Sequence, residues 1–199
     1  MWVVIGLGNP GKRYAATRHN VGFVLIQRLV DKRNAKLKKR KYSAKAAQVE
    51  LDDSPVLLVK PWTHMNRSGV AVKELIEWTG VKANRLLVVY DDLDIPLGEI
   101  RIRKTGGPGT HNGMASIVQE INSTKFPRIR IGIGPLPPGF DATEYVLAGF
   151  RKEERPVLED CLAMAEEAVV LIMTRGVETA MNKFNRKVKN TDNSGIFYE

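Results

Sequence analysis

Short apolar runs alternate with longer segments of helical periodicity from one end of this chain to the other, and that order admits few folds. Strand-like runs fall at residues 2–6, 44–51, 55–60, 85–90, 99–103 and 128–134, and helix-like patterns at 20–38, 67–79, 111–122, 152–175 and 177–185. Interleaving of this kind predicts an α/β fold, a sheet layered between helices, because each element has an apolar face that must be buried against another. Asp52-Asp53-Ser54-Pro55, between two apolar runs, reads as a hairpin turn, so the twisted sheet is expected to be mixed, mostly parallel, and flanked by helices. The 199 residues suit one domain, placed at 1–186, with 187–199 as a loose tail of little apolar content before Ile196-Phe197-Tyr198.

Within 152–175, Pro156 sits in the first turn, where its missing N–H costs little, and Gly176 stands as a C-terminal cap. Val157, Cys161, Ala165, Val169 and Ile172 form a stripe that reads as core, which makes Cys161 a buried structural thiol. As the single cysteine, Cys161 offers neither a disulfide partner nor a zinc-ligand pair. The Pro/Gly segment from Pro135 to Phe140, with Tyr145-Val146-Leu147 beyond it, fits either a lid or a plain connector.

No apolar run reaches the length of a membrane span, and Trp2-Val3-Val4-Ile5 begins without a basic leader, so a cytosolic protein is expected. The net charge of +9 is unevenly placed. Residues 32–45 carry Lys32, Arg33, Lys36, Lys38, Lys39, Arg40, Lys41 and Lys45 with no acid, a run open to two readings: a polyanion site, or a solvated helix end. In Ile100-Arg101-Ile102-Arg103 the period of two places both guanidiniums on one strand face and both isoleucines on the other. Arg128 and Arg130 repeat the pattern around Ile129, and two such strands present forked donors suited to phosphates.

Each of the three histidines is followed within two residues by an asparagine: His19-Asn20, His64-Met65-Asn66 and His111-Asn112. Together they supply a base, donors and acceptors at neutral pH, and each pair follows an apolar run, which predicts one polar site gathered from distant segments. Thr17 or Asn20 is placed to cap the helix that follows His19. Tyr90-Asp91-Asp92-Leu93-Asp94 leaves the strongest strand pattern, Leu86-Leu87-Val88-Val89, at the kind of strand end where α/β folds gather catalytic groups. A carboxylate there can hold an imidazole in its proton-accepting tautomer. No phosphate-cradling lysine loop accompanies the acids, so no catalytic metal is expected.

Gly6-Leu7-Gly8-Asn9-Pro10-Gly11 matches the dinucleotide fingerprint in letters but not in context. Pro10-Gly11-Lys12 reads as a turn, no helix begins until after His19, and no acid ends a second strand some twenty residues on. No cofactor is expected; the loop reads as one that brings Asn9 close to a ligand.

Six ordered motifs carry a family likeness: Gly6-Leu7-Gly8-Asn9-Pro10-Gly11; Tyr14 with Thr17-Arg18-His19-Asn20; Thr63-His64-Met65-Asn66-Arg67-Ser68-Gly69; Asp91-Asp92-Leu93-Asp94-Ile95-Pro96; His111-Asn112-Gly113; and Arg130-Ile131-Gly132-Ile133-Gly134. From residue 2 to about 185 the chain resembles a bacterial-type peptidyl-tRNA hydrolase. The resemblance implies hydrolysis of the ester joining a peptide to the 3′-terminal ribose of tRNA, with peptidyl-tRNA as partner, no membrane association and a monomeric state. It implies His19 as general base and Asp91 as its partner; Asn9 as discriminator of blocked from free amines; Tyr14, Asn66 and Asn112 as substrate holders; Met65 lining the peptide groove; and Arg101, Arg103 and Arg130 as phosphate contacts.

Two positions depart from the family pattern. His64 stands where an aromatic is usual, and as a flat ring it can still stack on a base or ribose, while Ala115 replaces a usual cation. For the oxyanion of ester hydrolysis, Asn66, Asn112 and backbone N–H groups all remain open. The competing reading is a catalytically silent RNA-binding relative of the same fold, similar to plant organelle splicing factors. Retention of His19, Asp91, Asn9, Asn66 and Asn112 together favours the enzyme.

Overall fold

In the computed structural model, which describes residues 1–39 and 42–185, β1 (Trp2–Gly6) is buried at every position. A strand reads this way when helices cover both faces of its sheet. Trp2 and Val4 pack in a core shared with α1 (Val21–Asp31), α5 (Arg155–Arg175) and α6 (Val177–Phe184). Val3 and Ile5 face the opposite core, which includes α2 (Ser68–Thr79) and α3 (Asn112–Ile121). Three layers result, helix on sheet on helix.

Among the described residues the strands form one seven-stranded sheet in the order β2-β3-β4-β1-β5-β7-β6. β1, β4 (Ser54–Pro61), β5 (Leu86–Pro96) and β7 (Arg128–Gly134) lie side by side in parallel. β3 (Ala44–Leu51) runs against them, β2 (Lys38–Lys39) turns back again, and β6 (Ile100–Arg103) pairs antiparallel with β7 at the far edge. Five strands therefore point one way and two the other, the mixed, mostly parallel sheet that the sequence predicts. The β3–β4 hairpin closes on Asp52 and Asp53, both at positive φ (50° and 57°), as a two-residue turn matching the strands' twist requires.

The chain passes from β1 to β4 on one side and only later places β5 on the other, so the connections diverge between β1 and β5. Ligands of open α/β sheets bind at such a divergence, beyond the carboxyl ends of the strands. Here α1 is pressed unusually close. A Cβ on Gly22 would lie 2.5 Å from the Val89 carbonyl oxygen and 2.6 Å from the Leu7 nitrogen, and one on Gly6 would lie 2.1 Å from the Gly22 oxygen. The glycines of the fingerprint-like loop thus serve helix-on-strand contact.

Several local expectations are revised. The first helix stops at Asp31 rather than residue 38, because Asn34 turns the chain at φ 49° and Lys38 already belongs to a strand. β5 continues through the acidic cluster to Pro96, so the acids lie within the strand. Val157 is 42% exposed and leaves the core stripe at the first turn of α5, whereas Cys161, Ala165, Val169 and Ile172 are fully buried. Burial pushes the Cys161 thiol up to about 12, consistent with a structural role. A short helix, α4 (Ala142–Leu147), occupies the segment read as lid or connector. The proposed tail, 187–199, and Arg40 and Lys41 of the basic run lie outside the described residues.

The close approach at Gly22 predicts that Gly22→Ala lowers stability by about 1–3 kcal/mol, as overpacking does. Gly107, where an added Cβ meets nothing within 4 Å, serves as the comparison, and Gly107→Ala leaves the urea midpoint nearly unchanged. Urea unfolding of both variants checks the contrast; equal midpoints would remove the close contact as a constraint.

Candidate active site

Asp91 lies at the carboxyl end of the apolar part of β5 with its side chain only 2% exposed. A buried carboxylate must be paired, and two imidazoles pair it. His19, in the 3₁₀ turn that leads into α1, places Nδ1 2.8 Å from Asp91 Oδ2, and His111, at the start of α3, places Nε2 3.1 Å from Oδ1. His111 Nδ1 accepts the backbone N–H of Met114, so its proton sits on Nε2 and is donated to Asp91. Burial alone would raise the Asp91 carboxyl, but His111 and then His19 outweigh it and hold the group well below the usual carboxylate range.

This arrangement fixes the first imidazole. With Nδ1 committed to Asp91, His19 is left with Nε2, which has no protein partner among the described residues, on a ring that lines a cleft of about 680 Å³. His19, Asp91 and His111 also bring potential metal-ligand atoms within 4.8 Å of one another. Their chemistry fits a hydrogen-bonded cluster better than a ligand set. A metal on His111 Nε2 would need the proton moved to Nδ1, against the Met114 N–H already there.

Asn9 is nearly buried and held on three sides. Its backbone N–H donates to Asn20 Oδ1 (2.8 Å), its carbonyl accepts from Asn20 Nδ2 (2.9 Å), and its own Oδ1 accepts the Met65 N–H (2.8 Å). Oδ1 thus has one bond within the protein, and Nδ2 is the end of the carboxamide without a protein partner among the described residues. Asn20 makes these bonds instead of a helix cap, and Thr17 donates to the Tyr14 carbonyl, so neither side chain caps α1.

His64, Met65, Asn66 and Asn112 also line the cleft, with both asparagine side chains exposed. The three histidine–asparagine pairs are thus brought to one place. Tyr14 does not line the cleft; its ring carries the Arg13 guanidinium at 4.6 Å. Of the arginines, Arg103 lines the cleft, exposed and without an ion pair among the described residues. Arg130 also lines it, its Nε bound to Asp92 at 2.6 Å. Arg101 is turned onto Glu99 and the Ile100 carbonyl, outside the cleft. Arg128, read as a polar-face partner of Arg130, is buried and donates to the carbonyls of Gly107 and Thr124, bracing the Gly106–Gly107 loop.

Sequence reasoning missed the wall made by α4. Asp141 caps this helix through the Glu144 N–H, an Asp-x-x-Glu signal that was there to find. Arg18 ties the segment down: its backbone N–H donates to the Ala148 carbonyl, its guanidinium pairs with Glu154 at 2.7 Å and it lies over the Tyr145 ring at 4.2 Å. The residue beside His19 thereby fixes the opposite wall, where Val146 and Leu147 face the cleft.

The chain matches the profile of the peptidyl-tRNA hydrolase family over residues 3–192. Among curated proteins, the peptidyl-tRNA hydrolase of Chloroflexus aggregans is 45% identical over 93% of this chain and 99% of its own length. That of Lachnoclostridium phytofermentans is 42% identical over 96% and 100%. Among solved structures, the peptidyl-tRNA hydrolase of Acinetobacter baumannii superposes with a TM-score of 0.86 at 35% identity, covering 93% of this chain and 94% of that one.

The lowered Asp91 carboxyl predicts a pH dependence. Its contribution to stability is complete above the unfolded-state carboxylate value of about 4 and is lost as pH falls toward the folded value. The unfolding free energy should therefore decline more steeply below about pH 4 in the native protein than in Asp91→Asn. Denaturant titrations at stepped pH measure this, and parallel curves would contradict the ionised, paired state of Asp91.

Proposed function

The chain belongs to the peptidyl-tRNA hydrolase family, and from that premise we propose how its own residues hydrolyse the peptidyl ester of tRNA. One observation carries the reading: the 2.8 Å contact from His19 Nδ1 to Asp91, which leaves Nε2 as the base at the cleft. His19 Nε2 takes a proton from water as the water oxygen attacks the ester carbonyl. The imidazolium that forms is stabilised by the Asp91 carboxylate. Collapse of the tetrahedral species expels the ribose 3′-oxygen, which receives the proton from Nε2, and a peptide acid and free tRNA result.

Donors for the developing oxyanion come from the cleft's exposed carboxamides, Asn66 and Asn112, or from backbone N–H groups. The Asn9 carboxamide presents its Nδ2 as a donor toward the ligand, while its Oδ1 accepts from Met65. Nδ2 can therefore bond the acyl oxygen of a blocked amine, a contact that a free ammonium, a donor without lone pairs, cannot make. Met65 and His64 flank the same end of the cleft. Arg103 and the Nη groups of Arg130 meet phosphate, while Arg101 acts more weakly through Glu99. Tyr14 contributes at the outer loop.

The silent RNA-binding alternative is not favoured, since the base and its carboxylate are in bonding contact. A monomeric, cytoplasmic enzyme of translation is the reading we adopt; among the described residues no helix is long and apolar enough to cross a membrane.

Hydrolysis of N-acetylaminoacyl-tRNA in chelator, with unblocked aminoacyl-tRNA as control, tests the function. The native protein should cleave the first and spare the second, and His19→Ala should lower kcat by roughly 10²–10⁴-fold with little change in KM. Near-normal turnover by the variant would remove His19 as base. Separately, Arg103→Ala should flatten the salt dependence of tRNA binding by about one phosphate contact, and Arg101→Ala by less. Equal slopes for both variants would place the phosphates elsewhere.

A further inference from the structure

A second groove, of about 560 Å³, backs onto the catalytic cleft at Asn9, the residue that lines both. Its apolar lining is Phe23, Val24 and Trp62 with Pro10 and Ala15, and charged side chains line it too, Lys60, Lys12, Arg28 and Asp31 among them. The reaction described above uses none of these side chains. Trp62, just past the end of β4, is 39% exposed, and its ring is held by the Lys45 ammonium 3.6 Å from the centroid. Phe23 reaches the groove over Gly8, where a Cβ would sit 2.6 Å from the ring. Lys60 is 8% exposed and spends one donor on Gln27 Oε1 at 2.7 Å, which leaves donor capacity in the groove it lines.

The sheet order gives this groove a place along the substrate. From the β6 edge inward, the strands and the loops that follow them carry Arg130 within β7, then Asp91 within β5 with His19 beside it, then Asn9 after β1, and finally Trp62 after β4. A substrate with its ester at His19 and its tRNA toward the arginines must send its peptide the other way. The acyl oxygen that Asn9 binds belongs to the second residue from the ester, so that residue continues past Asn9.

We infer that the groove between α1 and the end of β4 is the binding site for the second residue of the peptide, and that Trp62 makes it select apolar and aromatic side chains. The inference rests on the hydrolase reading given above. Carbon-rich walls suit such a side chain, and the Lys60 ammonium supplies a donor for a main-chain carbonyl beside it. Burial and the neighbouring Lys45 push the Lys60 amine down to about 8, against Asp31, which favours its charge. A nucleotide would stack on Trp62 as well, its phosphates then meeting Lys12 and Arg28 of this groove, and a comparison of substrates separates that occupant from a side chain.

The test compares N-acetyl-Phe-Ala-tRNA with N-acetyl-Gly-Ala-tRNA, substrates that differ only at the second residue, and uses N-acetyl-Ala-tRNA as the reference. The native enzyme should prefer the Phe substrate in kcat/KM on the order of tenfold, mostly through KM. Trp62→Ala should bring the ratio near one, Trp62→Phe should restore most of it, and Ala15→Trp, which fills the groove, should abolish it. A native ratio near one overturns the inference, as does a Trp62→Ala variant that keeps the native ratio. Equal loss on all three substrates would make Trp62 a tRNA contact and also overturn it. Cleavage of the reference without discrimination leaves the hydrolase reading standing, whereas failure to cleave the reference overturns both.

Discussion

The glycine-to-glycine contact of α1 with β1 is the constraint from which the site follows. With no side chain on Gly6 or Gly22, the first turn of α1 settles against the carboxyl ends of β1 and β5, within reach of the Val89 carbonyl and the Leu7 amide. His19, two residues before α1 begins, is then carried to Asp91 on β5, 72 positions away in the sequence. Any bulk at that contact would lift the helix start away from the sheet, and a hydrogen bond of 2.8 Å does not survive a displacement of an ångström or more. Packing and chemistry are the same requirement at this point.

Polar accounting does the rest of the positioning. Asn20 brackets the backbone of Asn9, Asn9 accepts from Met65, and Met65 abuts Gly113, where a Cβ would lie 2.5 Å from its sulfur. His111, two residues earlier, returns to Asp91. Buried hydrogen bonds thus lock the loop after β1 to the loop after β4, while the start of α3 packs on Met65 at Gly113 and is tied to β5 through His111. Asn20 shows how residue type can be read correctly as polar and functional while its partner stays hidden. A helix-cap pattern and a loop-bracing role look the same in a linear sequence, and only the fold decides between them.

That distinction explains what the sequence revealed. The layered α/β fold was legible because every strand had to bury alternate residues on two faces, and β1 satisfies both. His19, Asp91, Asn9, Asn66 and Asn112 were legible because their types and spacing carry chemistry, and all five meet in one cleft. What stayed illegible depended on long-range competition. Arg128 and Arg130 share a strand, yet one is consumed by loop carbonyls and the other by Asp92. Arg101 and Arg103 share a face, yet only the second is free of an ion pair among the described residues. Periodicity assigns a face; it does not assign a partner.

The same competition resolves an apparent conflict between the cleft and its polyanionic substrate. Asp91, Asp92 and Asp94 line a site that must approach phosphates, and three free carboxylates would repel them. Asp91 is paired with two imidazoles and Asp92 with Arg130, which leaves Asp94 as the exposed member. Arg130 gives up part of its own field in that neutralisation. Within a chain of net charge +9, Arg103, the last residue of edge strand β6, is the cleft arginine that is exposed and has no ion pair among the described residues. The cleft's charges are therefore largely settled within the protein, with Asp94 and Arg103 as the exposed exceptions that have no ion pair among the described residues.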